Sequence, residues 1–341
     1  MATLEDLRQE LNTIIRDYDL FNEVVDRMWK SSALATILGK NKKKLVGGIS
    51  YEFRVRLTET DIPTQRKRFY DVIETSRVGN PVVGKIQLGI MQKAISVSKD
   101  ELEANRGEAK IIDLVTDKMK ELEESVKKQF LLDLIYGDPA GDPNAPTGLE
   151  VILTPNNNYA GIDETLYPSW NPLVLDASAA AYPYAVGSDT ALLSTYGTTD
   201  VRTIDLFIND VVYRISKGQP DLRPNLVLTT GHIYSLIKAA IFPQVVLQDK
   251  SLVDVGFDNV KFNGLTIVDD PFIPDRTMYF LSTDDIMMPY KSLDMNPPEF
   301  KVEDPSGKAR TLISIVEIEW TLACIRRRTQ AKVINVGSPT S

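Results

Sequence analysis

His232 is the only histidine of the chain, and it follows Thr229-Thr230-Gly231 at the predicted start of a helix. A histidine-based triad needs a Ser or Cys nucleophile beside the ring and a third group to orient it. The nucleophile-elbow pattern G-x-S-x-G is absent, so His232 reads as a packed or surface side chain. The single cysteine, Cys324, lies in the apolar run Thr321-Leu322-Ala323-Cys324-Ile325 and reads as a small buried hydrophobe. One thiol excludes an internal disulfide framework and a cysteine-rich zinc site. The clustered carboxylates are Asp269-Asp270 and Asp284-Asp285. Neighbours on a strand point to opposite faces, so neither pair makes an acid/base couple as it stands, and at strand ends Asp serves turns. A hydrolase using these aspartates is the one enzymatic alternative. The phosphate-binding patterns G-x-G-x-x-G and G-x-x-x-x-G-K-[ST] are missing. No catalytic residue, cofactor or metal ligand is expected.

Three basic clusters remain: Lys42-Lys43-Lys44, Arg66-Lys67-Arg68 and Arg326-Arg327-Arg328. The second is followed by Phe69 and Tyr70, and charge beside aromatics is the composition of an interface anchor. The formal net charge of the 341-residue chain is -8. Sequence-independent DNA binding needs many Lys and Arg against phosphates, so this is a poor dedicated DNA binder. The acidity suits a container wall that must not stick to DNA, and it also serves solubility.

These side chains need elements to position them. Leu4, Leu7, Leu11, Ile14, Ile15 and Tyr18 make an apolar stripe on a helix over 4–18, packed on its own domain or on a neighbour. Residues 40–48 read as a basic loop. Tyr51, Phe53, Val55 and Leu57 alternate with Glu52, Arg54, Arg56 and Thr58, and the period of two returns at Ile86, Leu88 and Ile90. Two strands around a mostly polar stretch form a long hairpin-like arm, barely stable alone and in need of a surface to lie on. Ser98 and Glu101 spell a capping box. Ile111, Val115, Met119, Leu122, Val126, Phe130 and Leu134 predict a helix over 108–136, about 43 Å long at 1.5 Å per residue. Residues 137–200 read as loops with short strands, and from Asp200 the rhythm is α/β. A helix ends at Gly218, a strand covers 225–228, and Thr229 or Thr230 caps a second helix. Strand, turn and strand follow over 260–268, then a strand at 278–281, a polar connection over 291–309, a long β segment over 311–324 and a last strand near 333–336.

The hydrophobic fraction is 43%, ordinary for a folded protein. No apolar run approaches the roughly 20 residues of a membrane span, and the longest, Leu312 to Cys324, is broken by Ser314, Glu317, Glu319 and Thr321. The acidic start Met1-Ala2-Thr3-Leu4-Glu5-Asp6 has no apolar signal core, which points to synthesis in a cytoplasm.

The order of elements resembles the HK97-like fold of tailed-phage major capsid proteins. The carriers are Val201 to Ile208 leading to Asn225-Leu226-Val227-Leu228-Thr229-Thr230 and the helix from Ile233, then Phe262-Asn263-Gly264-Leu265-Thr266-Ile267-Val268, then Trp320 to Arg328 with Ala331-Lys332-Val333-Ile334. The resemblance implies an α+β chain in four parts: an N-terminal arm over 1–45 and an extended hairpin, the E-loop, over 46–97. The peripheral (P) domain takes 98–200 and 291–322, with a spine helix over about 98–136, and the axial (A) domain takes 201–290 and 323–341. It implies a homo-oligomer of hexamers and pentamers in an icosahedral shell around double-stranded DNA. A separate scaffolding protein is expected, since no long helical prodomain precedes the arm, together with a portal and decoration proteins. Synthesis would be in the host bacterial cytoplasm, the final place the virion, and no membrane is involved. Intersubunit contacts are expected at Arg54, Arg56, Arg66, Lys67, Arg68, Phe69, Tyr70, Arg326 and Arg327. Lys67 and Lys85 match no crosslinking motif. An encapsulin-like compartment keeps the fold and exchanges DNA for protein cargo.

Overall fold

The computed structural model describes residues 9, 32–55, 82–98, 100–101, 108–178, 184–194, 203–241, 259–292, 301–302 and 311–338. The helix expected over 4–18 lies outside them, Gln9 apart, as do Arg56 and the cluster Arg66 to Tyr70.

From Ser32 on, the described elements open with a short helix α1 (Ala33–Leu38) and an edge strand β1 (Lys42–Lys44). The hairpin strands β2 (Ser50–Val55) and β3 (Val82–Gln87) follow, then β4 (Gly89–Ser98) and the long helix α2 (Glu108–Tyr136). Next come α3 (Leu149–Leu153), β5 (Leu173–Asp176), α4 (Asp189–Leu193), α5 (Thr203–Ser216), β6 (Leu226–Thr229) and α6 (Gly231–Ile241). The rest is β: β7 (Asn259–Phe262), β8 (Leu265–Asp269), β9 (Met278–Leu281), β10 (Ile286–Ser292), β11 (Lys301–Val302), β12 (Thr311–Trp320), β13 (Ala323–Cys324) and β14 (Ala331–Ile334).

Three sheets result among the described residues. The first joins β1, β10, β12 and β11 in that order, with β4 on β12 and β13 on β10. The second has the order β5-β14-β9-β6-β8-β7, and the third is β2 with β3 alone. The stripe on α2 explains the first core. Leu122, Val126, Phe130 and Leu134 are all buried, and they share one hydrophobic cluster with Met91, Ile95 and Val97 of β4 and Leu312, Val316, Ile318 and Trp320 of β12. Phe130 and Trp320 meet with ring centroids 4.9 Å apart. The capping box forms as read, with the Ser98 N–H on Glu101 Oε2 at 3.0 Å and the Glu101 N–H on Ser98 Oγ at 3.2 Å. The second core sets Ile204, Phe207, Ile208 and Val211 of α5 and Ile233 and Ile237 of α6 against Val227, Ile267, Phe280 and Val333 of the sheet. Asn263 and Gly264, both at positive φ (49° and 84°), make the tight turn between β7 and β8, as an Asn-Gly pair does in hairpins.

Five local readings are corrected. Residues 42–44 are no loop: β1 runs parallel to β10, with Lys42 opposite Met288. Three lysines show no alternation, and an edge strand lets all of them reach solvent, so nothing in the pattern betrayed it. The inward phase does not continue through Ile90. It flips at Leu88-Gly89, and 89–98 pairs with β12 instead of extending the arm. The described residues of 137–200 hold two short α-helices as well as a strand, and β5 joins β14 in the second sheet. The β segment over 311–324 breaks between Trp320 and Ala323. The helix cap expected from a threonine hydroxyl is also not made: Thr229 Oγ1 donates to the Thr277 carbonyl, and Thr230 Oγ1 is buried with no hydrogen-bond partner.

Candidate functional site

Of the residues singled out above, the described part of the hairpin carries Arg54 and Lys85, with Lys43 and Arg327 at its root. Six residue pairs hold β2 against β3, from Ser50 opposite Gln87 to Val55 opposite Val82. Tyr51, Phe53, Val55 and Ile86 turn inward and join the first core, while Glu52, Arg54 and Lys85 face solvent. Tyr51 stacks on Phe53 at 5.8 Å, and Lys43 of β1 donates to the Tyr51 hydroxyl (3.2 Å) with its ammonium 5.0 Å from the ring centroid. The Lys85–Glu52 pair (3.7 Å) is exposed on both sides and adds little. Arg54 stands exposed on the outer face.

Below the hairpin lies a cavity of about 400 Å³, walled by Lys85, Ile86 and Gln87 on one side and by Asp138, Thr154, Asn157 and Tyr159 on the other. Its floor loop is unusual, since Asn156, Asn158 and Ala160 all have positive φ, at 57°, 51° and 58°. Left-handed backbone in non-glycine residues persists only where the surroundings over-determine it. Here the surroundings are an arginine. Arg327 is 0% exposed. Its Nε donates to the Ile152 carbonyl (2.8 Å), its Nη2 to the Thr154 carbonyl (2.6 Å) and to Asn157 Oδ1 (3.3 Å), and its Nη1 pairs with Glu164. The guanidinium carbon is 4.8 Å from the Tyr159 ring centroid. Glu164, itself buried, also accepts from the Asn156 and Tyr159 N–H groups. Arg327 was expected at a subunit contact. It is enclosed by its own chain, because a planar five-donor fork is the side chain that can satisfy several carbonyls and a carboxylate at once. Its neighbour Arg326 is exposed and binds Asp285 at 2.9 Å.

The remaining chemistry-bearing groups are also held by structure. Asp285 takes the Thr329 hydroxyl at 2.8 Å as well. Asp270 accepts from the Ser32 hydroxyl and, at 3.1 Å, from the Phe272 N–H. Each aspartate pair therefore has one buried, hydrogen-bonded member rather than two converging acids. Burial lifts the Asp270 carboxyl above the usual range, the Ser32 bond opposing this. A folded-state value above the unfolded one means this group favours folding most at low pH, with the benefit fading as pH rises through the raised value. Asp270→Asn is expected to remove that slope from an acid-range stability profile. Ser32 also caps α1 by accepting from the Leu34 N–H at 3.1 Å, so Ser32→Ala is expected to cost about 1–2 kcal/mol in urea unfolding.

His232 Nε2 lies 3.2 Å from Asp189 Oδ2, and no nucleophile is bonded to the ring among the described residues. Cys324 is buried, and burial pushes its thiol up to about 12. It is expected to resist an aromatic disulfide reagent at pH 8 until the protein unfolds; labelling of native protein within minutes would contradict that. Among the described residues no group of three or more His, Cys, Asp or Glu is placed to hold a metal ion, and no helix is long and apolar enough to cross a membrane.

No protein-family model matches this chain, and no curated protein matches its sequence. Solved structures do match its fold. The capsid asymmetric unit of cyanophage A-1(L) aligns with a TM-score of 0.61 at 13% identity, covering 89% of this chain and 92% of that one. The capsid of an empty GTA particle aligns at 0.54 and 12% identity, over 90% of each chain. The holo-SrpI encapsulin complex from Synechococcus elongatus aligns at 0.51 and 12% identity, over 90% of this chain and 89% of that one. The chain thus shares a mixed α+β fold with these solved phage, GTA and encapsulin shell structures.

Proposed function

We propose that this chain is a structural shell subunit, the major capsid protein of a tailed bacteriophage, and not an enzyme. The observation that carries the reading is the hairpin. On a fold shared with shell proteins, β2 and β3 form a sheet of their own, with no strand ladder to another sheet among the described residues. A two-stranded ribbon is marginal alone in water; the inward face of this one rests on the first core, and a neighbouring subunit covers its outer face. In this reading the hairpin is the E-loop, α2 is the spine helix of the P domain, and the second sheet with α5 and α6 is the A domain. Arg54, Arg56 and the cluster Arg66, Lys67, Arg68, Phe69 and Tyr70 make contacts between subunits. Copies assemble as hexamers and pentamers around DNA held without sequence-specific contacts, with a scaffolding protein, a portal and decoration proteins as partners, in the host cytoplasm and then in the virion.

An encapsulin-like compartment is the second reading, favoured by the likeness to the holo-SrpI complex. Electron microscopy of the expressed protein, alone and with its neighbouring genes, tests both. Closed particles with a portal and terminase encoded nearby support the capsid, and particles loaded with a neighbouring enzyme support the compartment. A monodisperse monomer at high concentration with a protease-resistant 50–95 segment would count against any shell.

A further inference from the structure

Among the described residues, strand β4 is paired along one side only. Its ten residues run against β12 without a register shift, from Gly89 opposite Trp320 to Ser98 opposite Thr311. In an antiparallel ladder alternate residues turn both backbone groups toward the partner or away from it. The Ile90 N–H reaches the Asn144 carbonyl at 2.8 Å and the Ser98 N–H reaches Glu101, so the even-numbered residues face away from β12. Between those two ends stand Gln92, Ala94 and Ser96. Their backbone groups have no partner on that side among the described residues, and their side chains are exposed. Native edges are blunted by lysine, proline, a bulge or a cover. This one has no proline and no bulge, and its three outward residues are neutral.

We propose that β4 pairs with β4 of a second copy, antiparallel about a two-fold axis through Ala94. The register is self-complementary. Ala94 meets Ala94 of the second copy and Gln92 meets Ser96, each facing pair exchanging two hydrogen bonds. No like charges are brought together, since Lys93 turns toward the opposite face, where Met91 and Ile95 are buried. The Asn144 bond at Ile90 and the Glu101 cap at Ser98 limit the seam to Gln92–Ser96. A contact of one patch with itself closes on two copies and does not propagate as a fibre. Five residues a side bury far less than the roughly 1,200 Å² of a stable interface, so the seam is weak alone and counts where other contacts already hold the copies together. Its purpose rests on the shell reading; its chemistry does not.

Disulfide trapping of the full chain tests it. Facing residues of such a pair have Cα atoms about 5.5 Å apart, within the span of a disulfide. Ala94→Cys is expected to give a linked dimer on mild oxidation at least tenfold faster than Gln92→Cys, whose two copies would sit four residues out of register. The double variant Gln92→Cys/Ser96→Cys is expected to link as well, and it serves if Ala94→Cys folds poorly. Native Cys324 is buried and gives little background. Equal rates for the two single variants, or no dimer from Ala94→Cys and the double variant, overturn the seam. Amide protection of Gln92, Ala94 and Ser96 in dilute monomer also overturns it, by placing a segment of the same chain on the edge. The gel reports on the seam whether or not particles form, so its failure is distinct from failure of the shell reading.

Discussion

Arg327→Met is expected to lower unfolding stability by about 3–5 kcal/mol, the usual loss when one partner of a buried ion pair is removed. The substitution keeps much of the side-chain length and discards the donors. Glu164 is left buried without its ion-pair partner, and the Ile152 and Thr154 carbonyls lose their guanidinium partner. Each buried acceptor left without a donor costs about 1–3 kcal/mol. The loop at 156–160 then has less to hold three residues in left-handed backbone, and the hairpin seat above it loosens. Arg327→Lys is not conservative here, because a point-like ammonium cannot serve the same spread of acceptors. The Arg327→Met/Glu164→Leu double variant is expected to lose clearly less than the two single losses added together, since it leaves no orphan charge. Urea unfolding of the four proteins gives the cycle. Additive losses would show that Arg327 acts through packing alone.

This cluster also shows where the sequence stopped being legible. The helix over 108–136, the inward set Tyr51, Phe53 and Val55, the capping box at Ser98 and the Asn-Gly turn at 263–264 all rest on local periodicity or turn chemistry, and those survive folding unchanged. Arg327 sits in a run of three arginines, and a charge run ordinarily marks a solvated face. Only tertiary partners more than 160 residues away, Ile152, Thr154 and Glu164, reverse that expectation, and nothing near residue 327 announces them. One usable signal was present: Thr321 to Ile325 is apolar up to the arginines, so the chain enters Arg326 from inside a core. The same limit explains β1 and β5. A three-lysine strand and a four-residue strand exist because β10 and β14 offer them hydrogen bonds, which is a property of the sheet rather than of the segment. Sheet membership likewise divides the molecule differently from sequence order, since β5 at 173–176 belongs with the second sheet and β10 at 286–292 with the first.

Gly89→Ala is expected to cost about 3 kcal/mol or more, although it adds one methyl group. A Cβ there would lie 2.1 Å from the Pro146 nitrogen, 2.4 Å from its Cα and 2.6 Å from the Ala145 carbonyl carbon. All three are backbone atoms, so no rotamer change relieves the clash, and truncating the Pro146 side chain is not expected to rescue it. The loop cannot retreat cheaply either. It is tied by the Ile90 N–H to the Asn144 carbonyl (2.8 Å), by the Thr147 N–H to Thr321 Oγ1 (3.1 Å) and by the Gly148 N–H to the Gly137 carbonyl (2.8 Å). Relief must come from β4, which pairs Gly89 with Trp320 over the first core, or from the chain flip at Leu88 that sets the direction of the hairpin. Either response is readable. Loss of the Phe130–Trp320 contact would change the near-ultraviolet circular dichroism, and a shifted hairpin would leave a folded subunit whose particles form poorly. Gly141→Ala is the matched control, because its nearest neighbour is the Asp138 carboxylate at 3.6 Å, and its effect is expected to stay within about 0.5 kcal/mol. If the two variants unfold at the same urea concentration, the contact between residues 89 and 146 does not hold the root of the hairpin.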